Sequence, residues 1–434
     1  MYNNCMEKEV KTMIEDINGF RLPRYTQIPN VGLYLEQVVR YVNAHLAPLG
    51  EPELTSSMVS NYVKQGLIPS PVKKSYTAEH LARLLFIAVV KPVVPLEGLR
   101  LMFGIQEDNY PLQTAYDYFC EYFIDKQYGG CYFMLDCKGN AIDDKKFVYG
   151  QAFAIYALSE YCRATGDTEA RDKAVAIRDL LEQHAYTPDH PGYIEILARD
   201  WSYNPANQGS NINPEAEATK TMNTHLHLIE AYTGLLRVLR TPEQIAKVRQ
   251  HLNIMLDKVY DSEIHHFKMF FRDDWSWTTP EISYGHDIEG TWLMTETAEV
   301  LGEKDMEEKS APKCLAMAAA CLEESILPDG SMIYEYNPVT RHINTNRSWW
   351  VQAETVVGFL NAWQMSGEQR FLDASLKAFE YIDLFVVDHE YGEWFTMLGN
   401  SGEVLSGYES KIDGWKCPYH NARMCFEIIE RYEK

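Results

Sequence analysis

The sequence predicts an all-α protein whose larger part is an α/α toroid, an inner ring of helices wrapped by an outer one. Two observations carry this. After residue 112, ten segments show apolar residues at helical spacing: 113–125, 149–165, 170–185, 223–239, 242–260, 286–302, 312–326, 348–365, 370–385 and 418–432. Every second one is apolar on nearly all sides and rich in Ala and aromatics, as in QAFAIYAL and WWVQAETVVGF, while those between have a charged face. A buried helix alternating with an amphipathic one fits two concentric rings. Open helical solenoids, the competing architecture, usually repeat at ~34–47 residues.

Composition narrows the class. The chain has 434 residues, 46 % hydrophobic and 24 % charged, which is globular and excludes disorder. Its longest apolar stretches, such as LLFIAVV from Leu84, fall well short of the ~18 residues that span a bilayer. Net charge is −22, so the bulk of the chain is no nucleic-acid binder. Glu7, Glu9, Glu15 and Asp16 precede any apolar run, unlike a secretory signal. Nine cysteines without a C-x-x-C pair point to reduced thiols in the cytoplasm rather than to disulfides or zinc.

The chain changes character once. Residues 1–105 hold 11 basic and 9 acidic side chains, and all nine tryptophans lie at or after Trp201. A boundary is expected within 103–112, giving a small helical domain over 1–105 and the α/α barrel over 106–434. In the first, 33–46 and 77–90 read as helices, with Thr55 or Ser56 capping another that Gly66 closes. The string MVSNYVKQGLIPSPVKKSYTAEHLARLLFI resembles a MerR-type helix-turn-helix, and residues ~20–105 resemble a family of uncharacterised bacterial proteins built on it. That resemblance implies a DNA or protein contact, with Lys64, Lys73 and Lys74 against phosphate. The bland alternative is a small helical module with no such role.

The sharpest signal is where unusual residues sit on the buried helices. Tyr149 and Gln151 open the first, Asn223 and His227 the second, and His286, Glu289 and Trp292 the third. Trp349, Trp350 and Glu354 open the fourth; Tyr419 and His420 open the fifth, with Trp415 just before it. Spacings of three and four put His286 with Glu289, Asn223 with His227, and Trp350 with Glu354 on common faces. Parallel inner helices bring the five clusters to one mouth, where helix N-termini add partial positive charge. Aromatic walls with a few carboxylates and imidazoles suit a neutral polyol such as a sugar. Taken singly, His225, His265 and His342 read as hydrogen-bonded core groups, and Glu230 and Glu296 as local pairs or solvent-facing. No phosphate loop or dinucleotide fingerprint is present, and the i,i+2 spacing of His225 and His227 does not suit a shared metal.

Together KTMNTHLHLIEAYTGL, SYGHDIEGTWLMTETAEVL, RSWWVQAETVVGFLNAW and WKCPYHNARMC resemble the N-acylglucosamine 2-epimerase superfamily over ~110–434, in particular its cellobiose 2-epimerase branch. The resemblance implies an (α/α)6-type toroid, here with ten of twelve helices. It implies cofactor- and metal-independent inversion of C2 of a reducing-end glucose, through ring opening and a cis-enediolate. It places the two acid/base histidines at His286 and His420, an inner-ring histidine at His227, and substrate carboxylates at Glu289 and Glu354. Sugar-stacking tryptophans fall at Trp292, Trp349, Trp350 and Trp415. The first hairpin, whose inner helix carries an arginine toward the reducing-end oxygens, has no counterpart. The stretch AVVKPVVPLEGLR stands there instead, and Arg83 or Arg100 would fill the role only by coincidence.

Histidine suits this chemistry because its unperturbed pKa of ~6.5 lets one ring be base while another is acid. Three alternatives share the same residues. An aldose–ketose isomerase or an N-acylglucosamine 2-epimerase would use the same enediolate. A glycoside hydrolase would cast Glu289 and Glu354 as its carboxylate pair, leaving both histidines idle. A sugar-sensing regulator would bind sugar without turnover and DNA through residues 1–105.

Overall fold

Four of the five inner helices begin where a two-residue strand pins them to the next loop. Lys146–Phe147 pairs with Ile196–Leu197, Lys220–Thr221 with Phe270–Phe271, and Arg347–Ser348 with Met397–Leu398, all antiparallel. Ile282–Ser283 pairs likewise with the strand Glu335–Asn337. Strands this short carry no alternating pattern, so the sequence does not reveal them. The computed structural model describes residues 23, 28–29, 32–47, 54–91, 99, 112–204 and 218–432. The chain divides into two compact units, Met1–Pro111 and Leu112–Tyr432. The expected junction within 103–112 lies, up to residue 111, outside the described residues, as does Arg100.

In the first unit, α1 (Leu35–Leu46), α2 (Ser56–Lys64) and α3 (Ala78–Val90) share a core that includes Val38, Val42, Val59, Tyr62, Leu81, Leu84 and Ile87. Thr55 caps α2, its hydroxyl accepting from the Met58 N–H at 3.2 Å. Val72 and Ser75 bridge to form a tight turn whose tip, Lys73 and Lys74, has both residues at positive φ. Lys64, Lys73 and Lys74 are all exposed. Arg83 pairs with Glu79 of its own helix at 3.0 Å.

The second unit holds α4 (Leu112–Tyr118), α5 (Val148–Thr165), α6 (Thr168–His184), α7 (Met222–Val238), α8 (Pro242–Ile254), α9 (Tyr284–Leu301), α10 (Lys304–Ser325), α11 (Trp349–Ser366), α12 (Gln369–Tyr381) and α13 (Tyr419–Tyr432). The inner staves pack in the order α5, α7, α9, α11, α13, and α6, α8, α10 and α12 lie outside. Every residue of α7 from Met222 to Leu236 is buried, whereas outer α12 buries only one stripe. The ten expected segments are therefore ten helices. One start differs: α10 begins at Lys304, eight residues before the expected start near Pro312. That proline lies inside the helix, where a 22-residue element tolerates the loss of one backbone bond.

Both ends of the inner helices are specified locally. Gly166, Gly302 and Gly367 end α5, α9 and α11 in the left-handed region at φ 77°, 69° and 70°, which glycine adopts without Cβ strain. At the other end, buried cations tie down the loops. Lys146 reaches Asp125 at 3.0 Å, Lys220 reaches Asp273 at 2.8 Å, and Lys416 reaches Glu393. Arg347 bonds Asn400 at 2.7 Å. These pairs hold the loops rigidly around the helix N-termini, where the site lies. Between α13 and α5, where no hairpin stands among the described residues of this unit, side chains bridge the gap: Tyr419 stands edge-on to Phe153 and Tyr156. A cavity of about 520 Å³ remains there, lined by Tyr156, Glu160, Arg237, Glu296, Phe426 and Glu427 among others.

Candidate active site

One guanidinium organises the centre of the ring. Arg423, on the second turn of α13, donates from Nη1 to Glu230 of α7 at 2.5 Å. From Nη2 it donates to Glu289 of α9 at 2.6 Å and to Glu354 of α11 at 2.8 Å. All four side chains are buried. Three carboxylates on three neighbouring staves thus share one cation, and its face lies against Trp292 and Tyr419.

The carboxylates are not equivalent. Glu354 receives three donors: Arg423, His420 Nδ1 at 2.7 Å and Trp292 Nε1 at 2.9 Å. Glu230 also receives three: Arg423, His227 Nδ1 at 3.0 Å and the Tyr419 hydroxyl at 2.6 Å. Burial alone would raise both, but Arg423 and the imidazole partners outweigh it and bring each carboxyl down to about 2. Glu289 receives Arg423 alone, and its Oε2 is buried without a partner among the described residues. Burial, then the neighbouring Glu354, pushes it well above the usual carboxylate range.

The two candidate acid/base histidines bracket one indole. The His286 ring centroid is 4.8 Å from that of Trp350, and the His420 centroid is 5.5 Å from it on another stave. Trp349 meets His420 edge-on at 5.3 Å. Backing differs: His286 Nδ1 pairs with the Ser283 hydroxyl at 2.6 Å, whereas His420 Nδ1 pairs with a carboxylate. Burial, then His227 and His420, brings His286 down to about 3. Burial also lowers His420, while Glu354 opposes it.

Around this pair, Tyr149 stands edge-on to His227 at 5.1 Å and to Trp415 at 6.4 Å. Asn223 is buried in the first turn of α7. Trp415 is 58 % exposed, with its ring 6.5 Å from that of Phe133. The five helix-start clusters therefore meet through side-chain contacts.

Expectations are corrected at three residues, Trp292, Glu230 and His342. Trp292 is not a free stacking platform: it is 1 % exposed, Arg423 covers its face and its N–H is spent on Glu354. Glu230 neither pairs only along its own helix nor faces solvent; it is a central ligand of Arg423. Glu296 does pair, with Arg237 at 2.6 Å. His225 is the expected core group, accepting the Tyr193 N–H at 3.0 Å, whereas His342 is exposed in a hairpin strand. Sequence reasoning missed Arg423 altogether. The signal was present: an acid three residues after His227 and after His286, and an arginine three after His420, on helices otherwise apolar.

Among the described residues, two clusters bring potential metal-ligand atoms within 4.8 Å: Glu289, Glu354 and His420, and His266, Asp287 and Cys321. In the first, the Arg423 guanidinium already bonds both carboxylates. In the second, His266 is engaged by Asp287 at 2.8 Å and by Glu324 at 3.2 Å, one through each ring nitrogen.

Residues 99–422 match the family model described as N-acylglucosamine 2-epimerase. The chain belongs to that family. Within this epimerase family, the cellobiose 2-epimerase of Bacteroides fragilis is 39 % identical over 328 residues, 76 % of this chain and 83 % of the relative. That of Ruminococcus albus is 39 % identical over 318 residues, covering 73 % and 80 %. The solved cellobiose 2-epimerase of Bacillus thermoamylovorans superposes with a TM-score of 0.70 at 34 % identity, covering 79 % of this chain and 84 % of that one. The (α/α)6 architecture of this epimerase-family member is thus shared with solved relatives. Residues 23–119 match a second model, described only as a domain of unknown function (DUF1836). That description names no helix-turn-helix, and none of these relatives is described as binding DNA. Among the described residues, no helix is long and apolar enough to cross a membrane.

Proposed function

We propose that the chain is a carbohydrate 2-epimerase that inverts C2 of the reducing-end glucose of cellobiose or a related β-1,4-disaccharide, giving glucosyl-mannose. The observation that carries this is the bracket of His286 and His420 around Trp350, each imidazole on a different stave. The names of the relatives support the choice of substrate.

Epimerising a carbon beside a carbonyl requires an open-chain aldose, loss of the C2 proton, and its return from the opposite face. The two histidines serve as that base and acid. His286, held neutral by burial and backed only by a hydroxyl, is the base in the resting site. His420 has Glu354 behind Nδ1, which fixes the tautomer and favours the imidazolium against the burial that lowers it, so it is the ring that carries a proton to the opposite face. After one transfer the roles are exchanged, which makes the reaction reversible. Trp350 and Trp349 wall the site, Trp415 and Tyr149 line its mouth, and His227 and Asn223 offer hydrogen bonds to hydroxyls. Arg423 holds the three staves in register and acts through Glu354 on His420.

The test is incubation with cellobiose in deuterated water. The wild-type chain is expected to yield glucosyl-mannose labelled at C2, and His286→Ala and His420→Ala to lose epimerisation. A ketose product would make the enzyme an isomerase. C2 exchange retained in both variants would eliminate the pair.

A further inference from the structure

The centre of the site has a charge imbalance that its hydrogen bonds resolve. Glu230, Glu289 and Glu354 face a single guanidinium. Two of them receive three donors each, and each of these two has an imidazole beside it. Glu289 has one donor: one oxygen receives Arg423 and the other, Oε2, is buried without a hydrogen-bond partner among the described residues, and the His420 ring lies within 4.8 Å of this carboxyl without bonding it. An ionised carboxylate with a bare, dehydrated oxygen is costly, and protonation is the cheap escape. The titratable and charged groups facing it from the packed staves are Tyr149 of α5, Glu230 of α7, Glu354 of α11, and Tyr419, His420 and Arg423 of α13. Of these, Arg423 favours the anion and is shared three ways, while His420 directs its Nδ1 at Glu354 instead.

Glu289 also lies on the face of α9 that carries His286, one turn further along. Removal of the C2 proton throws negative charge through the carbonyl onto the substrate oxygen at C1, and the arginine expected there from the resemblance has no counterpart on the described staves. We propose that Glu289 rests as a neutral carboxylic acid and donates the hydrogen on Oε2 to the C1 oxygen as the enediolate forms. This rests on the epimerase reading and adds to it a charge state and a direction of donation. A carboxyl kept neutral and aimed at a developing oxyanion stabilises it as a preorganised donor does. Glu289 is thereby a donor to substrate, whereas Glu354 is a positioning carboxylate for His420.

The experiment compares Glu289→Gln with Glu289→Ala in the full chain and takes the infrared difference spectrum of wild type minus Glu289→Gln. Glutamine is neutral, nearly isosteric and keeps an N–H donor. It is expected to hold kcat on cellobiose within about 10-fold of wild type, whereas alanine loses about 100–1,000-fold, the cost of one oxyanion donor, with KM changed less than kcat. A protonated-carboxyl C=O band is expected in wild type and absent from Glu289→Gln. Glutamine as inactive as alanine, in a variant that still folds by circular dichroism, would overturn the proposal, as would a missing band. Should wild type leave cellobiose unchanged, the epimerase reading fails and the donation with it, and the band then decides only whether Glu289 is neutral.

Discussion

Glu354 and His420, 66 residues apart in the chain, are joined by a 2.7 Å bond between Oε1 and the imidazole Nδ1. The bond commits Nδ1 to one partner and leaves Nε2 for proton transfer. Replacing Glu354 by Gln keeps the side-chain size but removes the charge, and lets the amide bond the ring in the wrong tautomer. We expect kcat to fall about 10²–10⁴-fold, the usual range for losing acid/base function, with KM for cellobiose altered far less. Steady-state kinetics check this, and a proportional rise in KM alone would contradict it.

Arg423 bonds three buried carboxyl groups and compensates the charge on Glu230 and Glu354, so its removal costs more than that of an ordinary surface arginine. Arg423→Ala is expected to destabilise the barrel by about 3–5 kcal/mol, the price of leaving buried charge unpaired. Adding Glu230→Gln, which removes one of those charges, should restore part of the loss. Urea unfolding of the single and double variants measures the coupling. Simple additivity would show that Glu230 and Arg423 act independently.

Stability should fall with acidity, and the sign follows from the shifts. His286 is neutral in the fold down to about pH 3, because burial and then His227 and His420 disfavour its charge. In the unfolded chain it takes its proton near ~6.5. Between these values the unfolded state binds more protons, so stability declines as pH falls. Glu230 and Glu354, held at about 2, extend the decline: their contribution is full above the unfolded carboxylate range and is lost toward pH 2. Urea midpoints at falling pH should therefore drop, and less steeply between about pH 6 and 4 in His286→Asn. An unchanged slope would count against a buried neutral His286.

Gly285 precedes His286, and a Cβ there would lie 2.6 Å from the Trp350 ring and 2.7 Å from Val351. Gly285→Ala must push the indole that both histidines touch. We expect about 1–3 kcal/mol of destabilisation from overpacking. Activity should fall further, by about 10–100-fold in kcat, since small displacements of reacting groups are amplified in rate. Melting temperature and kcat together check this; full activity would show that Trp350 does not set the spacing of the rings.

By itself the sequence determined the helices and the end of the ring where chemistry sits. Period-3.6 patterning marks the ten segments, and all-round apolarity separates α7, α9 and α11 from the outer helices, because burial on every side leaves no polar face to encode. Tertiary structure alone decided which polar residues meet. Glu230 looks like any helix glutamate until α13 brings Arg423 against it, and Trp292 looks like a sugar platform until that guanidinium covers it. Spacing along one helix fixes which side chains share a face. Which face of a distant helix opposes them is set by ring closure, over separations of 193 residues between Glu230 and Arg423 and 134 between Glu289 and Arg423.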